Sequence, residues 1–471
     1  MKIVVTPVVS RIVDIKGLTP EIIDEIDYEC SFYCEGSFFT PQFQYALWDG
    51  MRRLFSKKTL SFGTGLLDKV LSIVNKYNVP VEIEKRYPPI KNIDIGSLKL
   101  TLHDYQKEAL SRMLERERGI IKLPTGSGKG CLASAIICER KVPTIVLVHR
   151  RDLLYQTVER LKKEADIKAG IVGDGSVKFE DVTVAMIQTL LRNLGIHDKK
   201  TEQDNTIIEN VKEKIAYYNM LISDEVHVLG TSSCMKLLKL FKNAVYRYGF
   251  SATPFYRDEA LVIESIIGPI IYEKKVPELD LQYIATAKIV FIPFVHERRE
   301  RKWLTYHEVY DQEVVYNEQR NLLIKKLAER YKDYRVLIAV RKVEHGKILN
   351  DMIKGSKFVH GSSETEERRK ILEIFRKGVA NCVIATVIWE QGIDIPEATV
   401  LIDTRAEKSR LAFIQLIGRV LRRTPTKDKA LVLDIYDYNC KWISQHAKER
   451  MKIAIEEFGS ERVFKLKGGL Q

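Results

Sequence analysis

Residues 120–133 read IIKLPTGSGKGCLA, an apolar strand followed by a glycine-rich turn and the start of a helix. Glycines in such a turn let backbone N–H groups approach phosphate oxygens, and Lys129 is placed to reach the β and γ phosphates of a nucleotide. A phosphate loop of this kind ends in Gly-Lys followed by Ser or Thr, whose hydroxyl binds Mg²⁺. Gly130 occupies that position here. The stretch predicts an α/β fold and a nucleotide site that lacks one metal ligand, although a glycine-rich turn can also be purely structural.

The loop belongs to a series of apolar strands separated by helices. Continuous apolar runs are typical of buried parallel strands, and loops at the carboxyl ends of such strands carry function. From about residue 100 the runs are GIIKLP, TIVLVHR, VTVAMI, MLISDE and YRYGFSATP, and from about residue 335 they are YRVLIAVR, KFVHG, NCVIAT, TVLIDT and ALVLDIY. Two such series predict two α/β domains.

The first 95 residues have a different pattern. Thr19 and Pro20 form a helix N-cap and first-turn proline, so we expect a helix through about Tyr28. An aromatic stretch with turn residues then favours short antiparallel strands, and TGLLDKVLSIVNKYN has helical spacing. This unit is therefore predicted to be a small α+β domain.

At 471 residues the chain exceeds what one hydrophobic core supports. The changes in pattern divide it into five segments. We expect an amino-terminal domain at 1–95, a first α/β domain at 96–270, a connector at 271–320, a second α/β domain at 321–445 and a carboxyl-terminal helix and tail at 446–471.

Composition narrows the class of protein. It is 45% hydrophobic and 30% charged, which is typical of an ordered globular chain. No apolar run reaches the roughly 18 residues that span a bilayer, and the start alternates as a β-strand does, so we expect no membrane segment or signal peptide. The expected location is intracellular and cytoplasmic, in the host cytoplasm if the protein is phage-encoded. The absence of a sustained heptad run favours a monomer.

Charge and cysteine content bear on partners and ligands. The net charge of +13 favours a polyanionic partner. The seven cysteines are scattered and odd in number, so reduced thiols are expected. Their spacing does not favour a zinc site.

An acidic pair ends one strand of the first series, in LISDEVH. Asp224 is placed to hold the Mg²⁺ of a nucleotide, and Glu225 to position and deprotonate an attacking water. Such pairs are often only solvated turn residues. The position of this pair after a phosphate loop, in the same strand series, favours the catalytic interpretation.

A basic motif, QLIGRVLRR at 415–423, lies near the end of the second series. Arg419 and Arg422 are three residues apart, so we expect them on one helix face, where they could reach the γ phosphate across a cleft. The alternative is a basic surface helix that forms ion pairs or binds nucleic-acid phosphates.

The order of these motifs resembles that of the superfamily 2 helicases. The series is LHDYQKEAL, LPTGSGKG, VLVHRRDLLYQ, DEVH, SATP, HGSSETEERRKILEIFRKG, ATVIWEQGIDIP and QLIGRVLRR, between about residues 100 and 440. The resemblance implies two tandem RecA-like domains with parallel sheets, which close on ATP and open after hydrolysis. Together with the first unit, the expected fold is α/β with a small α+β amino-terminal domain.

The resemblance also implies roles for individual residues, with ATP and Mg²⁺ as cofactors. The residues expected to bind nucleotide are Tyr105, Gln106, Pro124, Thr125, Gly126, Ser127, Gly128, Lys129 and Gly130, with Gly392 and Asp394 from the second domain. The residues expected in the hydrolytic centre are Lys129, Asp224 (which holds the metal), Glu225, Gln415, Arg419 and Arg422. Those expected to couple hydrolysis to strand contacts are His227, Ser251 and Thr253.

Two features point to DNA within this superfamily. The DEVH tetrad, without the adenine motif of DEAD-box RNA helicases, favours a DNA-directed enzyme. FFTPQFQYALWDGMRRLF is similar to the amino-terminal domain of phage UvsW-type branch-migration helicases. This resemblance implies an ATP-dependent DNA helicase or translocase that remodels branched or forked DNA in replication, recombination or repair, with XPB-like and RecG-like enzymes as the nearest alternatives.

Candidate DNA-binding residues follow the aromatic stretch. They combine phosphate-binding charge with a ring that could stack on bases, and they are Trp48, Arg52, Arg53, Lys57 and Lys58. The alternative is that the aromatic side chains form a domain core with a solvated basic rim. We expect this for most of the aromatics, while both interpretations remain open for the cations. A second basic stretch, at 296–307, is expected to be a solvated helix face, with DNA contact as its alternative.

Gly130 cannot ligate Mg²⁺, so we expect a water to fill the vacancy and the metal to be held more loosely. Thr125 and Ser127 are not at the ligand position, and Cys131 is a soft ligand for a hard cation. One hypothesis is an active motor with a reduced hydrolysis rate, which the presence of the remaining motif residues favours. The others are a non-catalytic DNA-junction binder and an RNA-directed DExH helicase.

Overall fold

The chain folds into two compact units. The computed structural model describes residues 1–34, 36–196, 205–253, 260–279, 285–297, 304–361, 363, 365–386, 397–424 and 427–466. The first unit comprises Met1–Leu123 and Gly128–Glu273, and the second comprises Pro124–Ser127 and Lys274–Gln471. Within the described residues, no helix combines the length and the apolar character that crossing a bilayer requires.

The first unit contains three sheets surrounded by helices. Its strands are β1 (Lys2–Val5), β2 (Val9–Asp14), β3 (Ser31–Tyr33), β4 (Met51–Arg53), β5 (Phe55–Ser56), β6 (Ser61–Gly63), β7 (Glu82–Lys85), β8 (Arg118–Lys122), β9 (Thr144–Val148), β10 (Gly170–Gly173), β11 (Ser176–Lys178), β12 (Val182–Met186), β13 (Met220–Asp224), β14 (Tyr246–Ser251) and β15 (Ile270–Glu273). Its helices are α1 (Pro20–Glu29), α2 (Pro41–Gln44), α3 (Leu67–Lys76), α4 (Asp104–Glu115), α5 (Lys129–Arg140), α6 (Arg151–Ala165), α7 (Ile187–Asn193), α8 (Asn205–Ala216), α9 (Ser232–Leu240) and α10 (Ala260–Ile267).

The second unit is built on one sheet. Its strands are β16 (Thr286–Val295), β17 (Val336–Val340), β18 (Lys357–Val359), β19 (Cys382–Thr386), β20 (Val400–Asp403), β21 (Lys429–Tyr438) and β22 (Val463–Lys465). Its helices are α11 (Tyr306–Tyr310), α12 (Glu318–Arg330), α13 (Val343–Met352), α14 (Thr365–Lys377), α15 (Arg410–Val420) and α16 (Lys441–Phe458).

The amino-terminal part is the small α+β fold that its pattern predicts. Five strands form a sheet in the order β5-β6-β2-β1-β7, and β3 pairs with β4 in a separate antiparallel ribbon. Helix α1 starts at Pro20, as predicted, because the Thr19 side chain accepts a hydrogen bond from the Ile22 N–H at 3.4 Å. Helices α1 and α3 bury their apolar faces, including Ile26 and Val70, against this sheet.

The eight-stranded sheet of the first unit has the order β11-β10-β12-β9-β13-β14-β8-β15. All neighbouring strands are parallel except β10 and β11, a hairpin. Every residue of β9 is buried, as expected for a parallel strand covered by helices on both faces. The order places the carboxyl ends of β9, β13, β14 and β8 side by side, which is where the predicted motifs lie.

The seven-stranded sheet of the second unit is parallel throughout, in the order β18-β19-β17-β20-β21-β16-β22. Two of its strands differ from the sequence expectations. Strand β16 lies within 271–320, where the sequence predicts only a connector, and β22 lies in the predicted tail. A proline inside an apolar run argues against a strand, because proline cannot donate a backbone hydrogen bond. On one side β16 pairs with β21 along its whole length, but on the other side β22 pairs only with Ile289–Phe291. Pro293 therefore has a neighbouring strand on one side only, which makes it acceptable.

The amino-terminal sheet packs directly on α10 of the first unit. A Cβ atom added at Gly65 would lie 1.8 Å from the Glu264 carbonyl oxygen, so the two backbones approach as closely as glycine allows. The Arg118 guanidinium donates to the Pro7 carbonyl at 2.9 Å and to the Ile266 carbonyl at 3.3 Å. These contacts join the amino-terminal sheet to the eight-stranded sheet within one unit.

Candidate active site

The phosphate loop connects β8 to α5. Gly126 and Gly128 have φ values of +87° and +76°, which glycine adopts without strain. The Ser127 hydroxyl donates to the Pro124 carbonyl at 2.7 Å and closes the turn. Lys129 is buried, and its ammonium donates to the Leu123 carbonyl at 3.1 Å. The lysine charge is therefore held beside the loop from which α5 begins.

The predicted adenine-side residues lie next to this loop. Gln106 is buried, and its Oε1 accepts from the His103 N–H at 2.9 Å. A Cβ at Gly128 would lie 2.4 Å from Gln106 Nε2, so the amide packs against the loop glycine. Tyr105 stacks on the His103 ring with 5.9 Å between centroids. The structure thus brings Gln106 onto the loop and leaves Tyr105 half-buried beside it.

The acidic pair lies at the end of β13, in the same unit. Burial and the charge of Glu225 raise the pKa of Asp224. Burial would also raise the pKa of Glu225, but the hydrogen bond from His227 and the charge of Lys129 outweigh it and lower that pKa to about 2. Glu225 also has a left-handed backbone, with φ of +54°. Strain of this kind persists where the surroundings over-determine a conformation, commonly at active sites.

The predicted coupling residues form a hydrogen-bonded link to this pair. The Ser251 hydroxyl, at the end of β14, donates to Glu225 Oε2 at 3.3 Å and lies 3.2 Å from His227 Nδ1. The Thr253 N–H donates to the same hydroxyl at 3.1 Å. One serine oxygen therefore connects the acidic carboxylate, the histidine and the backbone that leaves β14.

Sequence reasoning missed two residues of this site. His149 follows β9, and burial together with Arg150 lowers its pKa to about 4, which leaves the imidazole neutral at pH 7. It is the first polar residue after an apolar strand, the same signal that identified Asp224. Arg160 on α6 reaches Gly130 and carries no comparable signal, because thirty residues separate the two in sequence.

The predicted residues of the second unit lie around α15. Gln415 and Arg419 are one helical turn apart and share a face of this helix. The expectation that Arg422 shares that face is wrong, because α15 ends at Val420. Leu421 caps the helix, and the Arg422 N–H donates to the Arg419 carbonyl at 3.5 Å, so the last turn tightens and turns Arg422 away from the helical position. Gly392 and Asp394 lie outside the described residues.

The candidate DNA-binding residues of the amino-terminal part divide into two groups. Arg53 forms ion pairs with Asp27 and Asp49, and Lys57 pairs with Asp24 at 2.6 Å. Trp48 is half-buried and donates through Nε1 to the Met51 carbonyl at 2.8 Å. In the described part of the chain, neither Arg52 nor Lys58 forms an ion pair. Arg52 and Lys58 are therefore the two candidates whose charges are available to a partner.

The expectation that most aromatic side chains of this region are core is only partly met. Phe55 and Phe62 are buried in the small sheet. An exposed group, here called the aromatic patch, consists of Tyr33, Phe38, Phe39 and Tyr45. Phe39 is 85% exposed and Tyr45 is 76% exposed, and they lie just before and just after the short α2. Of the basic stretch 296–307, residues 298–303 lie outside the described residues, and α11 begins only at Tyr306.

Comparison with known proteins agrees with this geometry. The chain matches the family model described as "Type III restriction enzyme, res subunit" over residues 99–256 and the "Helicase conserved C-terminal domain" over residues 318–424. It is 28% identical over 410 residues to the DNA 3'-5' translocase XPB2 of Sulfurisphaera tokodaii, covering 77% of this chain and 88% of that protein. It is 25% identical over 451 residues to the ATP-dependent DNA helicase uvsW of Enterobacteria phage T4, covering 86% and 85%.

A solved structure gives the same fold. That of Saccharomyces cerevisiae Dbp5 bound to RNA and ADP BeF3 aligns with a TM-score of 0.54 at 17% identity, over 77% of this chain and 89% of that one. The likeness supports two tandem RecA-like domains and nothing about the substrate. With its two helicase family models and its motif order, the chain belongs to the superfamily 2 helicases and is similar in sequence to the XPB and UvsW enzymes.

Proposed function

We propose that this protein is an ATP-dependent DNA helicase or translocase that remodels branched DNA, as in branch migration and the processing of forks or junctions. The observation that carries the proposal is the grouping of the buried Lys129 with the half-buried Asp224 and Glu225, and the hydrogen bond that joins Glu225 to Ser251 at the end of β14. The names of the relatives, a DNA translocase and a DNA helicase, support DNA as the substrate. The choice of branched DNA rests on the likeness to the phage enzyme.

The residues in and around the phosphate loop fit ATP with Mg²⁺. The buried Thr125 hydroxyl has no hydrogen-bond partner among the described residues, although it lies in the loop that would hold phosphates. The Gln106 amide packs against Gly128, and a Cβ atom at that position would collide with it. The loop therefore needs a residue without a side chain there. A bound Mg²⁺ would offset the charge of the phosphates. Asp224 would hold it together with waters, while the space beside Gly130 is filled by Arg160.

The roles of the chain's own residues follow from their charges and contacts. Lys129 supplies a fixed positive charge at the phosphates. Glu225, ionised at neutral pH, orients an attacking water and accepts its proton. Ser251 and His227 hold that carboxylate, so a movement of the chain after β14 changes the position of the catalytic base. Thr253 lies in that segment, and a movement of it would transmit DNA binding to hydrolysis.

The second unit completes the proposal. Gln415 and Arg419 on α15, with Arg422 beyond its end, would offset charge that develops on the γ phosphate. Gly392 and Asp394 are proposed for the same site on the strength of the motif alone. Their contribution would require the two domains to close on the nucleotide.

On the DNA side, the aromatic patch and the unpaired cations offer two kinds of contact. Exposed rings stack on unpaired bases, and each stacked base contributes about 1–3 kcal/mol. Arg52 and Lys58 can bind phosphates without first breaking an ion pair. A fork, or a junction with single-stranded arms, offers both unpaired bases and closely spaced phosphates, which is the combination that this surface would recognise.

The test compares ATP hydrolysis in the presence of a four-way junction, a tailed duplex, single-stranded DNA and single-stranded RNA. Strand separation is measured on the junction and the tailed duplex. We expect DNA to stimulate hydrolysis and the junction to be processed faster than the tailed duplex. Glu225→Gln should keep nucleotide binding but lose hydrolysis by at least about a hundredfold, since a positioned general base contributes 10²–10⁴ in rate.

Three outcomes would contradict the proposal. Absence of hydrolysis with every DNA would leave a non-catalytic junction binder. Stimulation by single-stranded RNA but not by DNA would make the protein an RNA-directed helicase. Equal rates on junction and tailed duplex would remove the preference for branched DNA while leaving the motor.

A further inference from the structure

The space beside Gly130 is filled by an arginine from another helix. A Cβ atom built on Gly130 would lie 1.6 Å from Nη1, 2.4 Å from Cζ and 2.9 Å from Nε of Arg160. No side chain can share that volume with the guanidinium. The glycine that removes the usual metal-binding hydroxyl therefore also admits a positive charge at the same place.

The pairing of α5 with α6 holds Arg160 in position. Glu164, one turn further along α6, accepts hydrogen bonds from the Ser134 hydroxyl at 2.7 Å and from Cys131 Sγ at 3.3 Å. Arg160 Nε lies 3.9 Å from Glu164 Oε1, which is an ion pair too long to be a hydrogen bond. Glu164 is thus hydrogen-bonded to α5. Its ion pair with Arg160 keeps the arginine side chain next to the first turn of α5.

The guanidinium also lies beside Asp224, the proposed metal ligand. Arg160, Lys129, Gly130 and Asp224 line one small cavity between α5, α6 and β13. Burial and Glu225 raise the pKa of Asp224, and the charges of Lys129 and Arg160 oppose that rise. Arg160 is therefore a second cation at the edge of the phosphate loop, on the side where the hydroxyl is missing.

We propose that Arg160 binds the nucleotide phosphates and supplies, from α6, part of the positive charge that a hydroxyl-held metal would otherwise contribute. A guanidinium presents planar paired donors that match phosphate oxygens. Nucleotide binding in this protein then depends less on Mg²⁺ than in a loop that ends in Ser or Thr. The inference rests on the proposed function, because it assumes that the loop holds a nucleotide.

The experiment measures ADP binding by calorimetry, in Mg²⁺ and in EDTA, for the full chain and five variants. The wild type should bind ADP in EDTA within about threefold of its affinity in Mg²⁺. Arg160→Ala should weaken binding about tenfold or more in EDTA, since a hydrogen bond to a charged group contributes at least that factor, and less in Mg²⁺. Arg160→Lys keeps the charge without the planar donors and should lie between the two.

Gly130→Ser provides the complementary change. The colliding atoms belong to the far end of a flexible side chain, so the serine evicts the guanidinium and leaves the fold intact. The variant should bind ADP in Mg²⁺ but lose affinity in EDTA, as Arg160→Ala does. The double variant should be no weaker in EDTA than either single one, because both remove the same contact.

Lys162→Ala is the matched control. Lys162 is exposed and lies two residues on, on the opposite side of α6, and its loss removes the same charge. It should leave ADP binding unchanged in both conditions. If Arg160→Ala bound ADP in EDTA as tightly as the wild type does, the role of Arg160 would be overturned and the proposed function would stand. Absence of ADP binding by the wild type in both conditions would overturn the proposed function, and this inference with it.

Discussion

At the scale of single residues, Ser251 has the most informative position. Its hydroxyl contacts Glu225, His227 and the Thr253 N–H, so it joins the carboxylate proposed as base to the chain segment that follows β14. None of these contacts touches the phosphate loop. The arrangement separates the residues proposed to bind nucleotide from those proposed to sense DNA.

Ser251→Ala should therefore uncouple the two activities. Of the Ser251 contacts, only the hydrogen bond to Glu225 acts directly on the proposed base. One such bond is worth about 1 kcal/mol, so hydrolysis without DNA should fall by less than about tenfold. The stimulation by DNA should disappear, because Glu225 no longer follows the movement of β14. Steady-state hydrolysis with and without a four-way junction measures both.

Ser232→Ala is the control for this change, since Ser232 is exposed at the start of α9. It should behave as the wild type. An unchanged ratio of DNA-stimulated to basal hydrolysis in Ser251→Ala would exclude the coupling role.

At the scale of elements, the docking of the amino-terminal sheet on α10 depends on close backbone contact. Gly65 does not have a positive φ, so alanine there causes no backbone strain, but its Cβ would collide with the Glu264 carbonyl oxygen. Main chain cannot move aside as a flexible side chain can. The glycine is needed for packing and not for a turn.

Gly65→Ala should destabilise this docking by about 1–3 kcal/mol, the usual cost of overpacking. Calorimetry should show a lower unfolding temperature, and limited proteolysis should cleave faster in the 86–100 segment that joins the two sheets. Ser61→Ala, on neighbouring β6, should change neither, because its hydroxyl makes an exposed hydrogen bond with Thr59. If Gly65→Ala were cleaved at the wild-type rate, the contact between residue 65 and the Glu264 carbonyl would have relaxed without loosening the docking of the amino-terminal sheet.

At the scale of the whole molecule, the net charge of +13 predicts salt-dependent binding to a polyanion. Two contributions should be separable in the amino-terminal part. Cations that neutralise phosphates set the slope of log affinity against log salt concentration. Stacking rings raise the affinity at every salt concentration without changing that slope.

Arg52→Ala and Lys58→Ala should each reduce that slope for a four-way junction by about 0.9, the value for one phosphate contact. Phe39→Ala should lower affinity at every salt concentration without changing the slope. Fluorescence anisotropy over a salt series measures both quantities, with Lys16→Ala, an exposed lysine beyond β2, as the control. An unchanged slope in both cationic variants would place the DNA elsewhere on the protein.

Much of the fold and part of the site could be predicted from local pattern. The apolar runs of β8, β9, β13, β17 and β21 are continuous because helices cover both faces, so each was recognisable by itself. The phosphate loop and the acidic pair follow strand ends, and their chemistry depends on neighbours within a few residues. Strand β16 was missed because Pro293 contradicts strand propensity, and only its place in the sheet makes the proline acceptable.

The sequence by itself determined the α/β class, the order of the motifs, and Lys129, Asp224 and Glu225 as candidate residues, since period and spacing are local properties. Only the tertiary structure decided that Ser251 contacts Glu225, that Phe39 and Tyr45 are exposed, and that Arg160 fills the space at Gly130. These facts depend on which strands and helices become neighbours, and that order is set by packing across the whole sheet. The sequence shows only that Gly130 lacks the metal-binding hydroxyl, whereas the folded chain shows that Arg160 occupies the place of that hydroxyl.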